Sequence, residues 1–245
     1  MLQNIKQLYG EKLSATDGEI GHVKDFYFDD RSWVVRYLVA DTGTWLPGRQ
    51  VLLSPHAFGG LRHDGKFLCV RLTRKQIENS PAIETHKPVS RRYEEDYHRY
   101  YGWPYYWEGE GLWGGMRVFP VLEVPPKFSP DITAVPVISK PERADAHLHS
   151  TQAVKGYNIE ASDGTAGHVC GFMMDDESWA IGQLVVKTGH RFSGSEVLIS
   201  VSDVDRISYE KSTVFVKLDK KAVEQSSAYL FFPVGAVAQP QPSYL

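Results

Sequence analysis

Short runs rich in apolar, aromatic and β-branched residues recur along the chain between turn residues, which is typical of β-strands. Four such runs occur in each half of the chain, at 22–28, 33–40, 51–54 and 67–72, and again at 168–174, 179–186, 197–200 and 214–218. Each series ends in a short helical signature at 73–79 or 219–226, with Thr73 and Asp219 as predicted N-caps. Because no crossover helix separates the strands, the pattern predicts small barrels or sandwiches and disfavours a parallel α/β sheet.

An internal repeat explains why the series occurs twice. Residues 10–54 align with 156–200 at a constant shift of 146 without a gap, giving 20 identities in 45 positions. Many identities fall where turns are predicted, and we assign as structural turn residues Asp17, Gly18, Gly21, Asp29, Asp30, Trp33, Asp163, Gly164, Gly167, Asp175, Asp176 and Trp179. Two copies are too few for a solenoid, so each copy must close its own core or pair with its twin.

The tract between the copies is rich in proline. Nine of the fourteen prolines lie between Pro81 and Pro141, which excludes a continuous helix or a central strand there. The fold class predicted is therefore mainly β: two tandem small β-barrels joined by an aromatic, Pro-rich connector with a short helix near 90–100. The predicted divisions are 1–81 for the first copy, 82–150 for the connector, 151–230 for the second copy and 231–245 for a flexible tail.

The connector carries a dense aromatic tract. Eight aromatic residues occur within fifteen positions, namely Tyr93, Tyr97, Tyr100, Tyr101, Trp103, Tyr105, Tyr106 and Trp107. Ser90 is a predicted N-cap for a helix that places Tyr93, Tyr97 and Tyr100 on one face. The rings either join the barrels within the chain or form a surface for a protein partner, since Tyr and Trp are enriched in binding hot spots. The alternating charges at 91–99 predict a solvated helix face rather than an RNA groove.

Composition narrows the class of protein. The 245 residues are 42% hydrophobic and 23% charged, which is typical of a folded chain. A net charge of -3 argues against nucleic-acid binding through phosphate neutralisation. Two cysteines suit a reducing compartment, no apolar run is long enough to span a bilayer, and the N-terminus lacks a secretory signal. We therefore expect a cytoplasmic protein.

Candidate chemistry is sparse. His22 and His168 are equivalent in the two copies, but a locally bonded strand histidine is favoured over a metal ligand or acid–base group. His147 and His149 would lie on one side of an extended segment and could bind a divalent ion, yet no third ligand accompanies them. Cys69 and Cys170, which are not equivalent in the repeat, are read as buried and inert. The paired aspartates lack the ligand spacing of a calcium loop, so turn capping is preferred. No enzyme motif occurs, and no cofactor or metal is expected.

The repeat resembles the PRC-barrel family, named for the cytoplasmic domain of the photosynthetic reaction centre H subunit. The resemblance is carried by D-G-x-x-G-H-V from Asp17, D-D-x-S-W from Asp29, R-Y-L-V-A-D-T-G from Arg36 and W-L-P-G-R-x-V-L-L-S-P from Trp45. The first copy fits closely from about residue 8 to 81. The second departs at 182–183 and at 191–194. The aromatic stretch Y-Y-G-W-P-x-Y-W resembles that of bacterial proteins in which it follows the first of two such barrels.

The resemblance implies a strongly bent barrel that works by binding. In the H subunit the barrel caps a membrane complex and tunes electron and proton traffic to a quinone, and in a ribosome-maturation factor it helps to engage a ribosomal protein. We therefore expect a non-enzymatic protein-binding or scaffold protein, with a protein partner and with a homodimer as one arrangement. The alternatives are a cytoplasmic accessory factor of a membrane redox or photosynthetic reaction-centre-like complex, a ribosome- or RNA-associated factor, and a small-ligand or metal binder.

Overall fold

The computed structural model describes residues 1–58, 67–81, 89–109, 111–113, 147–189 and 194–229. Within these ranges the protein is mainly β, with thirteen strands in two sheets and four short α-helices. The N-terminal half contains β1 (Leu2–Asn4), β2 (Lys12–Ala15), β3 (Gly18–Asp29), β4 (Val34–Asp41), β5 (Gln50–Leu53), β6 (Phe67–Cys69), α1 (Arg74–Glu78) and α2 (Arg91–Tyr101). The C-terminal half contains β7 (Leu148–Ser150), α3 (Thr151–Val154), β8 (Asn158–Ala161), β9 (Gly164–Asp175), β10 (Ile181–Thr188), β11 (Glu196–Ser200), β12 (Val204–Ser208), β13 (Thr213–Val216) and α4 (Lys220–Glu224).

The two sheets have the same plan. The first has the order β5-β4-β3-β2-β6, and the second has the order β11-β10-β9-β8-β13-β12. In each sheet the first strand of the repeat pairs in parallel with a late one, with Leu13 opposite Leu68 and Ile159 opposite Val214. All other pairs are antiparallel. No closed barrel is found among the described residues.

The two halves exchange their first strands. Strand β1 pairs with β9 of the second sheet, with Leu2 opposite Asp175, and β7 pairs with β3 of the first sheet, with Leu148 opposite Asp29. Both pairs obey the shift of 146 that aligns the repeats. The structural correspondence therefore extends back to β1 and β7, and the halves are related by a pseudo-twofold axis.

The pseudo-twofold axis passes through the turn that carries each repeat tryptophan. Val34 forms a β-bridge with its equivalent, Ala180. The Val35 N–H donates to the Trp179 carbonyl at 2.9 Å, and the Ile181 N–H donates to the Trp33 carbonyl at 2.7 Å. Trp33 and Trp179 have φ of 56° and 60°, a left-handed conformation that is costly outside glycine. The D-D-x-S-W turn therefore serves as a contact between the halves as well as a local reversal.

The turn aspartates act as local caps. Asp17 accepts a hydrogen bond from the first N–H of α1 at 2.7 Å, and Asp163 accepts one from the first N–H of α4 at 2.8 Å. Asp29 and Asp175 each accept N–H donors from their own turn. The predicted N-caps Thr73 and Asp219 are confirmed, since their side chains accept from residues three positions later.

The buried hydrophobic side chains form one cluster that includes both halves and α2. Phe28 and Phe172 meet across the halves, with ring centroids 5.7 Å apart, and Phe58 contacts Trp179 at 5.4 Å. The halves therefore share one core. No described helix has the length and apolar character needed to cross a membrane.

Gly21 and Gly167 are positions where the close pairing of strands requires glycine. A Cβ at Gly21 would lie 2.0 Å from the Asp41 carbonyl oxygen, and one at Gly167 would lie 2.2 Å from the Lys187 carbonyl oxygen. We predict that Gly21→Ala lowers the free energy of unfolding by at least about 2 kcal/mol, because the strand must shift as well as adopt positive φ.

Gly10→Ala is the matched control for this substitution, because Gly10 also has positive φ but no atom lies within 4 Å of its Cβ position. It should cost only about 1 kcal/mol. Urea denaturation followed by circular dichroism measures both values, and equal losses would contradict the steric explanation.

Candidate functional site

The connector helix α2 begins and ends as its sequence predicts. The Ser90 side chain accepts the Tyr93 N–H, and Gly102 ends the helix in the left-handed region at φ 67°. The Trp103 N–H then donates to the His98 carbonyl at 3.0 Å. The chain therefore turns back sharply, which places the rings of residues 103–107 against the helix.

Tyrosine hydroxyls attach α2 to the first half. Tyr97 donates to the Leu52 carbonyl at 2.9 Å and accepts the Ser54 N–H at 3.1 Å. The backbone carbonyls of residues 81 and 76 accept from Tyr93 and Tyr100. These partners belong to the end of β5 and the α1 region, so the helix covers one edge of the first sheet.

The eight aromatic residues predicted to bind a partner divide into two groups by burial. The buried group consists of Tyr97, Tyr101, Trp103 and Tyr106. The half-buried group consists of Tyr93, Tyr100, Tyr105 and Trp107. Tyr105 stacks on Trp107 at 4.8 Å, and the Arg91 guanidinium lies 4.2 Å from the Trp107 ring centre. Contacts within the chain thus occupy the first group, whereas the Tyr105–Trp107 stack reaches the surface.

Glu94 is a fully buried carboxylate at the centre of this region. Its Oε1 accepts from Tyr106 at 2.6 Å and Tyr37 at 3.1 Å, and its Oε2 faces Arg91 at 3.1 Å and His147 Nε2 at 2.9 Å. The expectation of a solvated helix face is wrong at this position. Glu94 shares the buried face of α2 with Tyr97, His98 and Tyr101, which follow it at helical spacing.

Arg36 extends the buried cluster towards the second half. Its guanidinium carbon lies 3.9 Å from the Tyr106 ring centre and 4.9 Å from that of Trp113, and it also donates to the Leu112 carbonyl. The Trp113 indole N–H donates to the Ser178 carbonyl at 3.0 Å. The connector therefore contacts both halves of the molecule through one aromatic and charged cluster.

Two histidines in the cluster are held neutral. Burial and the neighbouring His56 lower the pKa of His98 to about 3, and burial together with Arg36 lowers the pKa of His56 to about 4. His98 Nδ1 lies 2.8 Å from the Pro104 carbonyl, so it carries the ring proton. The His56 ring packs against Trp103 and Trp113.

The other sequence candidates do not come together. His22 is exposed on β3 and His168 is half-buried on β9. His147 faces Glu94, whereas His149 lies 3.2 Å from Asp30 and stacks on Tyr209. No group of three or more His, Cys, Asp or Glu residues that could hold a metal occurs in the part of the chain described here. Cys69 and Cys170 are half-buried, free thiols, and burial raises the pKa of Cys170.

The cluster uses residues at which the two copies differ. Arg36, Tyr37 and His56 contact the connector, and the shift of 146 places glycine, glutamine and serine at the equivalent positions 182, 183 and 202. The same face of the second half therefore lacks the guanidinium and both rings. This explains in physical terms why the connector helix packs on the first copy.

No protein-family model matches the chain, and no curated protein matches it significantly. Function is therefore inferred from the residues of the connector cluster. Their arrangement forms a rigid, buried charge cluster beneath a half-exposed aromatic stack, which suits binding in a fixed geometry.

We predict that Glu94→Ala lowers the free energy of unfolding by about 3–5 kcal/mol, because it removes the shared acceptor of two buried tyrosine hydroxyls and the carboxylate that faces Arg91 and His147. Asp96→Ala on the same helix removes only an exposed ion pair with Arg99, and should change stability by less than about 0.5 kcal/mol. Urea denaturation compares the two variants. Similar losses would contradict the role assigned to the buried carboxylate.

The buried histidines predict a loss of stability in acid. Below pH ~6.5 the unfolded chain protonates both imidazoles, whereas the folded chain resists until about pH 4 at His56 and about pH 3 at His98. The unfolded state then binds more protons, so stability falls as the pH drops, by up to ~1.4 kcal/mol per pH unit for each histidine.

Urea midpoints at pH 7.5 and pH 5 measure this slope. His56→Gln should make the wild-type slope shallower, because it removes one of the two imidazoles that the folded chain holds neutral. An unchanged slope in His56→Gln would show that this imidazole is not held neutral.

Proposed function

We propose that the protein is a non-enzymatic protein-binding scaffold built from two PRC-barrel-like modules. The shared strand order of the two sheets and the parallel pairing of an early with a late strand in each support two modules of one strongly bent type. The strand exchange and the connector support a rigid relation between the modules. A scaffold needs this rigidity in order to present a surface with low entropic cost.

The observation that carries the proposal is the stack of Tyr105 and Trp107 with Arg91. Tyr106, which lies between them in the sequence, is buried and donates a hydrogen bond to Glu94. Its two neighbours are therefore held at the surface. The side chain of Arg91 is anchored to Glu94 at one end of its fork and lies over Trp107. Aromatic rings beside arginine on a rigid support are the composition of binding hot spots. We therefore propose this stack, and not all eight aromatic residues, as the partner site.

The experiment compares partner binding by three proteins. The test variant is Tyr105→Ala with Trp107→Ala. The matched control is Arg206→Ala with Phe215→Ala, which removes another arginine–aromatic pair, with the guanidinium 4.0 Å from the ring centre, in the second half. A partner captured from an extract of the native host is identified, purified and titrated against each protein.

We predict that the test variant binds the partner at least tenfold more weakly while keeping the wild-type circular dichroism spectrum, and that the control variant binds like the wild type. Trp103→Ala should instead lower the free energy of unfolding by about 3–5 kcal/mol, because Trp103 is buried within the chain. Equal partner affinity in the wild type and the test variant would contradict the proposed surface.

A further inference from the structure

The interface between the two halves has the form of a homodimer interface. Strand β1 adds to β9 and β7 adds to β3 in the same register, and the backbone bonds around Val34 and Ala180 are reciprocal. An interface in which each residue meets the equivalent of its own partner is isologous, and two separate copies of one module can form it. The recognition mode is the addition of a short strand to an exposed sheet edge.

We propose that each module recognises a second module through the exchanged strand, so that the halves bind each other without the covalent connection, and that Asp25 selects which module is bound. This inference does not depend on the partner surface at Trp107. It concerns a different face of the molecule and a partner of different chemistry, namely another copy of the module.

Asp25 distinguishes the two sides of the interface. Asp25 lies on β3 of the first half. Its carboxylate accepts hydrogen bonds from three donors at the end of β7 and just after it, namely the Ser150 hydroxyl, the Thr151 hydroxyl at 3.0 Å and the Gln152 N–H at 3.2 Å. Thr151 is fully buried there. These three bonds cross from one half to the other, whereas the Phe26 N–H is the donor from the half that contains Asp25. Docking of a strand with two hydroxyls therefore supplies most of the hydrogen bonds of the carboxylate.

The opposite side of the interface, where β1 pairs with β9, has different residues at the equivalent positions. The shift of 146 places Gly171 opposite Asp25, and Asn4 and Ile5 opposite Ser150 and Thr151. A Cβ at Gly171 would lie 3.2 Å from Asn4 Oδ1, so the glycine makes room for the amide. The Asn4 amide N–H donates to the Tyr229 hydroxyl at 2.9 Å, and Oδ1 accepts the Lys6 N–H. This side therefore needs no carboxylate.

These two sets of residues favour the pairing of a first half with a second half over the pairing of two first halves or two second halves. If a first half bound another first half, Asp25 would face Asn4 and Ile5, and its carboxylate would lose both hydroxyl donors. If a second half bound another second half, Ser150 and Thr151 would face Gly171, and both hydroxyls would lose their acceptor. Because unpaired polar groups at an interface weaken binding, the residues at these positions discriminate between partners.

The first experiment tests whether the halves hold together without the connection. A specific protease sequence is inserted between residues 128 and 129, and the folded full-length protein is cut. We expect the two fragments to elute together at the mass of the uncut chain and to separate only in denaturant. Elution as separate fragments of about half the mass would overturn the proposal.

The second experiment tests the selecting residues in the cut protein. Ser150→Asn with Thr151→Ile puts the residues of the other side against Asp25, and asparagine keeps the helix capped, as Asn4 does in its own place. We expect the fragments to dissociate at least tenfold more readily. Adding Asp25→Gly recreates the combination found at Gly171 and should restore most of the affinity.

Thr165→Ala is the matched control for the second experiment. It removes a hydroxyl bond to the Glu160 carboxylate at 2.8 Å that lies entirely within the second half. It should leave fragment dissociation unchanged. An unchanged affinity in the Ser150→Asn, Thr151→Ile variant, or a failure of Asp25→Gly to restore it, would overturn the selective role of Asp25.

Discussion

The long strands β3 and β9 impose the constraint on which the rest of the structure depends. Each is twelve residues long, and on one side its first residues pair with the preceding strand, β2 or β8. Its last three residues extend beyond that neighbour, and the exchanged strand of the other half pairs with them. Backbone N–H and C=O groups beside a core need partners, so neither module satisfies its own longest strand. The shared core is a consequence of this requirement.

The connector depends on the same exchange. His147 immediately precedes β7, and its imidazole reaches Glu94 only because β7 is paired with β3. Glu94 accepts two tyrosine hydroxyls and faces Arg91 and His147, and a buried carboxylate is costly to leave when one of its partners is missing. The connector helix and the exchanged strand are therefore coupled. Trp113 adds a second link, from the connector to the turn of the second half.

The repeat made much of the fold predictable. Turn residues and apolar-rich strand segments are visible in both copies, and the helix caps follow from Thr73 and Asp219. The short strands β1 and β7 could not be predicted, because three residues carry almost no periodicity and only the leucines at 2 and 148 match within them. The pairing of these strands is a property of the two halves together, which no local pattern encodes.

The location of the aromatic tract could be predicted from the sequence, but the burial and contacts of its individual side chains could not. The density of aromatic residues identified the connector. The alternation of charges predicted a solvated helix face, so the burial of Glu94 was not predicted. Two signals were present in the sequence. Residues 94, 97, 98 and 101 have the spacing of one helix face, and Arg36 and Tyr37, which touch the connector, are replaced by Gly182 and Gln183 in the second copy. The contacts with the connector thus use positions at which the two copies differ, whereas the identities report the shared fold.

Fusion of the two modules gives a physical reason for that divergence. In a symmetric dimer of identical modules, any residue that receives a connector helix is present twice, and two equivalent surfaces result. In one chain, the first module can hold Arg36, Tyr37 and His56 while the second holds small or polar residues at the same places. The exchanged strands pair symmetrically in the two halves. Because the side chains differ, the connector helix and its aromatic stack pack on the first half. The proposed partner surface thereby occurs once in each chain, and both halves contact the connector that carries it.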